Sequence, residues 1–328
     1  NYLGNAYLNF GEPVDLEKFL IENVSKDFHI DSPFDKPDWL KPTTSLLVDT
    51  IIRSVNNSVA VTSTSLFAMG LLTDPTQTLN KETLKNRISF YVDLIKNSES
   101  YKDVWLTEES AEKIIDRSEK LRFIKHKLIG SDEVYRPNTS EVAALSFYKN
   151  NISHIFMLYS LICESVRYVD EISKDEMYKL IKMVYPILSR EYFLKSTNIT
   201  KEEIDQALTT LLDKRVLDSK TQKIYCKPQD KDDNINKYLS LCNICEPSLK
   251  RLYITMSVLW EKENISKDML QTICDSISKN LESIEGWPYP EFSDSTKFQN
   301  FIEFLITERY VKKDEQSGNL AASKITLK

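Results

Sequence analysis

The sequence predicts a mainly α fold, a helical region that carries small β-hairpins. Glycine and proline are scarce, at 6 and 11 of 328 residues, whereas Leu, Ile, Lys and Glu are plentiful and recur at helical spacing. At three places a helical stretch precedes two short extended segments around a turn, which predicts winged-helix-like units. No similarity between the three stretches indicates a sequence repeat.

Composition and charge narrow the class of protein. With 41% hydrophobic residues, the chain is able to build one large core or two to three small ones. A net charge of -6 disfavours nucleic acid as a partner. The five cysteines, an odd number at irregular spacing, predict a reducing, cytoplasmic setting. The longest uncharged stretch, 54–73, is too polar to span a membrane, so only docking onto a membrane surface stays open.

The first 42 residues predict a segment that joins two domains. Residues 7–13 read as a short strand, and Asp15 caps a predicted helix over 16–24. Because the chain has no initiating methionine and opens as if within a strand, we expect a fragment of a longer protein. Residues 31–42 contain three prolines and predict an irregular connector around a buried Trp39.

Residues 43–195 predict a central helical domain. Its predicted elements are helices over 44–72 with a break near Asn56 and Asn57, over 81–97 and over 108–121, a hairpin near 122–137, and helices over 141–169 and 174–194. We expect the last two helices to lie at the centre of the domain. Pro186 should kink the second of them or divide it in two.

Residues 196–328 predict a helical region with two helix-plus-hairpin units. Thr200 and Glu203 have the spacing of a capping box at the start of its first helix. The predicted elements are helices over 201–212, 235–263, 267–284 and 295–309, strands over 216–218 and 223–227, a rigid turn over 286–290, and a last hairpin formed by 310–313 and 324–327.

Four segments carry a resemblance to a known family. They are Y-L-N-F-G-E-P at 7–13, P-D-W-L-K-P-T at 37–43, F-Y-K-N-N-I-S-H at 147–154 and Y-P-I-L-S-R-E-Y-F-L at 185–194. In this order and at these intervals, the set resembles bacterial glycerol-3-phosphate acyltransferases of the large, inner-membrane type. Weaker similarity continues through G-W-P-Y-P-E-F at 286–292, so the resemblance covers nearly the whole chain.

The resemblance implies a position just downstream of the catalytic residues. In the family, an N-terminal acyltransferase domain carries a His-x4-Asp box, whose histidine is the general base on the glycerol hydroxyl. That box is absent, since no histidine here is followed by aspartate five residues later. We therefore expect no catalytic, cofactor-binding or metal-binding residues, and an inactive chain. Residues 1–30 should be the tail end of the acyltransferase domain and a connecting helix.

Asn150 and His154 are the candidate site residues. Four residues apart, they share one face of a predicted helix, where the amide and the imidazole are able to hydrogen-bond to the catalytic domain or to each other. The alternative is a buried polar pair that satisfies backbone groups in the core. A catalytic role is disfavoured because no nucleophile or second base lies at a suitable spacing.

Two further patterns have a functional and a structural interpretation. Cys242 and Cys245 form half of a zinc-site pattern whose second half is missing, so we expect small core residues. The apolar run at 155–163 is suited to lipid or an acyl chain, but such a helix is more often buried in a core.

Charge patterns bear on the possible partners. The cations Arg122, Lys125 and Lys127 suit anionic lipid headgroups, an attraction that nearby acids at 108, 109 and 112 weaken. The helix at 201–212 is the candidate DNA-recognition helix of a winged-helix unit. It has three acids in its first five residues, which disfavours DNA.

The sequence therefore predicts the C-terminal, non-catalytic region of a glycerol-3-phosphate acyltransferase. By resemblance, the parent enzyme transfers an acyl group from acyl-CoA or acyl carrier protein to the sn-1 hydroxyl of glycerol 3-phosphate. We expect the region to pack on its own upstream acyltransferase domain at the cytoplasmic face of the bacterial inner membrane. Acyl carrier protein is a further candidate partner, and nucleic acid is not. The alternative is a winged-helix-like docking or regulatory module.

Overall fold

The computed structural model confirms a mainly α fold with small β-hairpins. It describes residues 7–24, 36–101, 104–129, 132–221, 224–228, 233–262, 264–285, 295–314 and 317–322. No helix in those ranges combines the length and the apolar character that crossing a bilayer requires.

The helices and short strands of the described residues alternate along the chain. The helices are α1 Leu16–Asn23, α2 Leu40–Asn57, α3 Ser63–Leu72, α4 Lys81–Lys96, α5 Ala111–Lys120, α6 Val142–Glu164, α7 Lys174–Glu191, α8 Lys201–Asp213, α9 Asp233–Lys262, α10 Lys267–Glu285 and α11 Ser295–Thr307. The strands are β1 Ala60–Val61, β2 Leu79–Asn80, β3 Trp105–Leu106, β4 Ile124–Ile129, β5 Asp132–Pro137, β6 Ile172–Ser173, β7 Asp218–Thr221, β8 Ile224–Cys226, β9 Val311–Lys313 and β10 Leu320–Ala322.

Three consecutive units share one topology. Each has a helix, a short strand, two more helices and a hairpin whose second strand pairs with the short strand. The first unit, 63–137, has the sheet order β2-β5-β4, and the second, 142–226, has β6-β8-β7. In the third unit, 233–322, the short strand is reduced to a bridge between Ile265 and Leu320. The structure therefore contains three winged-helix-like units in tandem.

The three units also share the turn that leads into each hairpin. Arg122, Arg215 and Arg309 all adopt a left-handed backbone, with φ of 60°, 54° and 61°. Each is the second residue after the third helix of its unit, and its amide donates to the carbonyl three residues back, at 2.9, 2.9 and 3.1 Å. This turn ends the helix and directs the chain into the wing.

A second shared feature is the cap of the middle helix. Asn80, Ser173 and Ser266 each accept the amide of the residue three positions later, at 2.7, 3.3 and 3.3 Å. Each follows an aliphatic residue of the short strand or bridge and precedes a lysine. A few local residues therefore recur at equivalent positions of the three units, although they do not amount to a sequence repeat.

Two hydrophobic clusters form the core. The larger cluster covers the first two units and the first half of α9, from Val61 to Cys245. The smaller one joins the second half of α9 to α10, α11, β9 and β10 and to Ile187 of α7, and it includes the fully buried Phe298. The run 155–163 lies almost wholly in the larger cluster, as its core interpretation predicts. The predicted domain boundary at residue 195 stays a prediction; the larger cluster continues across it.

The N-terminal predictions are partly corrected. The helix capped by Asp15 is confirmed, and the Asp15 carboxylate accepts the Lys18 amide at 3.1 Å. Residues 7–13 form no strand with any described residue. The irregular connector ends earlier than predicted, because α2 already begins at Leu40, and Trp39 is half-buried. Pro42 is tolerated because the first helical turn needs no amide donor.

The later helices and strands are of the predicted type, but several of them begin or end at other residues than predicted. The helix 174–194 is a single helix through Pro186 and is not divided. In the second hairpin β7 starts at Asp218 and β8 ends at Cys226, so the strand predicted over 216–218 is displaced toward the turn. In the last hairpin β9 pairs with 320–322. The predicted strand 324–327 and the turn 286–290 lie outside the described residues.

Candidate functional site

His154 links α6 to the C-terminal end of α2. Its ring is 4% exposed, and Nε2 donates to the Asn56 carbonyl at 3.0 Å. Tyr101 packs edge-on against the ring, with centroids 5.7 Å apart. Burial lowers the pKa of His154 to about 4. The imidazole is therefore neutral near pH 7 and serves as a hydrogen-bond donor between two helices.

Asn56 completes this contact from the other side. Its side-chain amide donates to the carbonyls of Tyr192 and Phe193, at 2.9 and 3.2 Å, just after α7 ends. Because Asn56 also accepts from His154, one residue joins α2 to both α6 and α7. The sequence indicated Asn56 only as a helix break, since a local pattern cannot show contacts over more than 130 residues.

Arg53 adds a second connection between α2 and the end of α7. Its guanidinium pairs with Asp49 at 2.7 Å, donates to the Ser189 hydroxyl at 3.2 Å and donates to the Leu194 carbonyl. Arg190 of α7 also reaches Asp49, at 3.5 Å. The side chains of Arg53 and Asp49 are only 12% and 17% exposed, so this network is largely shielded from water. We call Arg53, Asn56 and His154 the α2 junction.

Asn150 lies one helical turn before His154, but it is exposed. It lines two clefts that meet at the α2 junction, and it forms no described contact with His154. The structure thus separates the two candidate residues: His154 is a buried connector, and Asn150 lies at the surface, available to a partner.

The two clefts differ in their walls. The first, about 660 Å³, is lined by the N-terminal segment 7–12, by hydroxyl side chains of α2 and α3, and by Asn150 and Asn151. The second, about 610 Å³, lies between α6, α7 and α11 and has an apolar wall that includes Ile187 and Phe301. In the first cleft the Ser63 hydroxyl donates to the Glu109 carboxylate at 2.6 Å, but the hydrogen bond from Arg117 lowers the pKa of that carboxyl, which makes it a weak base.

The N-terminal segment is held against α2 by close contacts. Asn9 donates to the Ser58 carbonyl at 2.9 Å, and the ring of Tyr7 packs on Trp105 with centroids 4.5 Å apart. A Cβ at Gly11 would lie 2.3 Å from the Ser58 hydroxyl, so a larger residue there would force that hydroxyl to move. Residues 7–11 therefore follow the end of α2 although they form no strand.

An apolar surface extends from this segment over α1 and α2. It consists of solvent-exposed side chains, among which Phe10 is 82% and Val55 64% exposed. We call this the α1–α2 surface, formed by Leu8, Phe10, Leu16, Ile21, Val48, Ile51 and Val55. Val48, Ile51 and Val55 lie at helical spacing on one face of α2, the arrangement of a helix that packs against another element.

Few potential metal ligands come together in the described residues. Cys242 and Cys245 are buried free thiols, and burial raises the pKa of Cys245, which disfavours the thiolate that a metal needs. Glu119 at the end of α5 and His126 and Glu133 on the first hairpin have possible ligand atoms within 4.8 Å of one another. His126 already pairs with Glu119 at 3.2 Å.

Comparison with known proteins identifies the family to which the chain belongs. Residues 1–314 match the family described as the glycerol-3-phosphate acyltransferase C-terminal region. A glycerol-3-phosphate acyltransferase of Alteromonas mediterranea is 28% identical over 329 residues, which cover 98% of this chain and 40% of the relative. Those of Pseudomonas paraeruginosa and Pseudomonas aeruginosa are 24% identical over 97% of this chain and 38% of theirs. The chain thus spans about two fifths of the length of these relatives.

Proposed function

The chain belongs to the C-terminal region family of glycerol-3-phosphate acyltransferases, and from this premise we propose that it supports and orients an upstream acyltransferase domain. The proposed reaction of the whole protein is acyl transfer from acyl-CoA or acyl carrier protein to the sn-1 hydroxyl of glycerol 3-phosphate. We place it at the cytoplasmic face of the bacterial inner membrane, as a peripheral protein.

The main support for this proposal is the exposed α1–α2 surface. A run of exposed apolar side chains on one helix face indicates a missing packing partner. The relatives are more than twice as long as this chain, and the matched family is their C-terminal part, so an upstream domain is available to cover the surface. Asn150, exposed beside the N-terminal segment, is suited to donate hydrogen bonds at the rim of the same interface.

The α2 junction gives the proposed scaffold its rigidity. Because Arg53, Asn56 and His154 fix α2 on α6 and α7, the apolar face of α2 is presented in one orientation. A domain that docks there is positioned relative to the whole chain. Catalysis itself is assigned to the upstream domain, since His154 is neutral and buried and His126 pairs with a carboxylate.

The test reconstitutes the reaction from two parts. Acylation of glycerol 3-phosphate is measured with this chain alone, with the upstream domain alone, and with the two mixed. We expect activity only in the mixture or a large gain there. Ile51→Asp with Val55→Asp should abolish the gain, because two carboxylates would be buried without partners. Asn150→Ala should weaken it.

A matched control separates docking from general damage. Tyr253 of α9 is 73% exposed and lies in the third unit, so Tyr253→Asp should leave the gain intact. Activity of this chain alone would overturn the non-catalytic role. A mixture no more active than the upstream domain, with both parts folded, would instead favour the docking or regulatory module, which the three winged-helix-like units also suit.

A further inference from the structure

The hairpin of the first unit concentrates positive charge on its outer face. Lys125 on β4 lies directly opposite Arg136 on β5, and Lys127 follows on the same face opposite Val134. All three cations are exposed, whereas the inner face of the hairpin carries the buried Ile124 and Tyr135. Residues two apart on a strand are about 7 Å apart, so the three charges form one patch.

This arrangement costs stability in the isolated chain. Like charges directly opposite each other in a hairpin repel, so folding alone does not favour a lysine facing an arginine. The other hairpins avoid it: Ser219 faces Tyr225 in the second unit, and Lys312 faces Ala321 in the third. Among the described pairs, only the first hairpin places two cations opposite each other.

Nearby carboxylates do not neutralise the patch. Among side chains that the structure describes, no carboxylate forms an ion pair with Lys125, Lys127 or Arg136. Glu109, expected from the sequence to weaken the patch, is bound by Arg117 and by the Ser63 hydroxyl at the far end of α5.

The one strongly exposed aliphatic side chain described on β4 lies on the other face of the hairpin. Leu128 is 69% exposed near the end of β4. Because side chains alternate along a strand, it shares the face of Ile124 and lies opposite Glu133, so it is not part of the cationic patch. On a chain with a net charge of -6, this local charge marks a specific partner rather than general adhesion.

We propose that the outer face of the first hairpin binds anionic phospholipid in the membrane surface. Lys125, Lys127 and Arg136 contact headgroup phosphates. The inference rests on the proposed location at the membrane and identifies the lipid-facing part of the chain. A bilayer is favoured over nucleic acid because the patch is short and belongs to an acidic chain.

The test measures binding to vesicles without any acyl transfer. The chain is sedimented with vesicles of phosphatidylglycerol and phosphatidylcholine, and with phosphatidylcholine alone. We expect binding only to the anionic vesicles, weakening as salt is raised. Lys125→Gln with Lys127→Gln should lower the partition coefficient about 25-fold, at roughly fivefold for each cation.

The third unit supplies the matched control. Lys312 and Lys313 are exposed on β9, in a hairpin of the same type, so Lys312→Gln with Lys313→Gln makes the same charge change elsewhere. An equal loss of binding in this control would overturn the proposal, as would equal binding to neutral vesicles. The proposal would also be overturned if the chain bound a duplex DNA or an acyl carrier protein more tightly than the vesicles and the Lys125 and Lys127 substitutions abolished that binding.

The lipid contact and the scaffold role can be refuted independently of each other. Loss of vesicle binding with intact reconstitution of acyl transfer would refute only the lipid contact. If the chain binds vesicles through Lys125 and Lys127 but does not raise the activity of the upstream domain, only the scaffold role is refuted.

Discussion

At the scale of the residue, His154 determines how the α2 junction responds to acid. Burial lowers the pKa of His154 to about 4, whereas the unfolded chain protonates this histidine near its ordinary value. Between these values the unfolded state binds more protons than the folded one. The contribution of the neutral imidazole is therefore complete above the ordinary pKa and is lost as the pH falls toward 4.

We expect His154→Gln to remove this dependence. Glutamine keeps a donor near the position of Nε2 but does not titrate. On lowering the pH from about 7.5 to about 5.5, the free energy of unfolding of the wild type should fall by about 1 kcal/mol more than that of the variant, as measured with urea at both pH values. Equal changes in the two proteins would show that His154 is not held neutral.

The comparison with the variant is needed because another residue titrates in the opposite direction. Burial raises the pKa of the Glu164 carboxyl to about 7, against the influence of Arg167 at 2.6 Å. A folded state that retains this proton loses stability as the pH rises through the same range. The difference between the wild type and His154→Gln cancels this effect and isolates the imidazole.

The sequence predicted only part of the candidate site. Spacing placed Asn150 and His154 on one helix, and both do lie on α6. It could not show that the partner of His154 is a backbone carbonyl at Asn56, because that contact joins residues 98 positions apart. For Arg53 the sequence shows only the four-residue spacing from Asp49, since its other partners are a hydroxyl and a backbone carbonyl more than 130 residues away.

At the scale of the element, Arg53 should determine how firmly α2 is held. We expect Arg53→Met to destabilise the protein by about 2 kcal/mol, because Asp49 loses its nearest cation and the Leu194 carbonyl loses a donor in a shielded place. Hydrogen exchange of the α2 amides should rise severalfold, while exchange in α10 stays unchanged.

An exposed ion pair provides the control for this prediction. Lys85 pairs with Glu82 at 2.7 Å within one helix, and both side chains are open to solvent. Lys85→Met should therefore leave the free energy of unfolding and the hydrogen exchange of the α2 amides as they are in the wild type. Similar losses in the two variants would mean that Arg53 acts through its charge alone and not through its contacts to α7.

Element types were more predictable than element ends. The capping box at Thr200 and Glu203 fixed the start of α8, and both of its hydrogen bonds are present. Proline was the least reliable signal: α7 and α9 continue through Pro186 and Pro247, since packing on a core outweighs the loss of one backbone hydrogen bond.

At the scale of the whole molecule, the two hydrophobic clusters should unfold separately. Phe298 is fully buried in the smaller cluster, and Phe67 is fully buried in the larger one. Phe298→Ala should lower the free energy of unfolding by about 3–5 kcal/mol. It should also expose the amides of α10 and α11 to hydrogen exchange, while those of α3 and α6 stay protected. Phe67→Ala should give the reverse pattern.

Uniform loss of protection in both variants would mean that α9 couples the clusters into one cooperative unit. This helix has 30 residues and contributes its first half to the larger cluster and its second half to the smaller one. The mainly α class followed from composition and periodicity, but this division did not, because a continuous helix gives no compositional sign of a boundary.

The shared left-handed arginines have a consequence for the wings. A residue other than glycine costs roughly 1 kcal/mol in that conformation. Arg122, Arg215 and Arg309 all adopt it at the second residue after the third helix of their units. Each wing is therefore entered through a turn whose backbone strain the packing of its unit must offset, and glycine at these positions would relieve it.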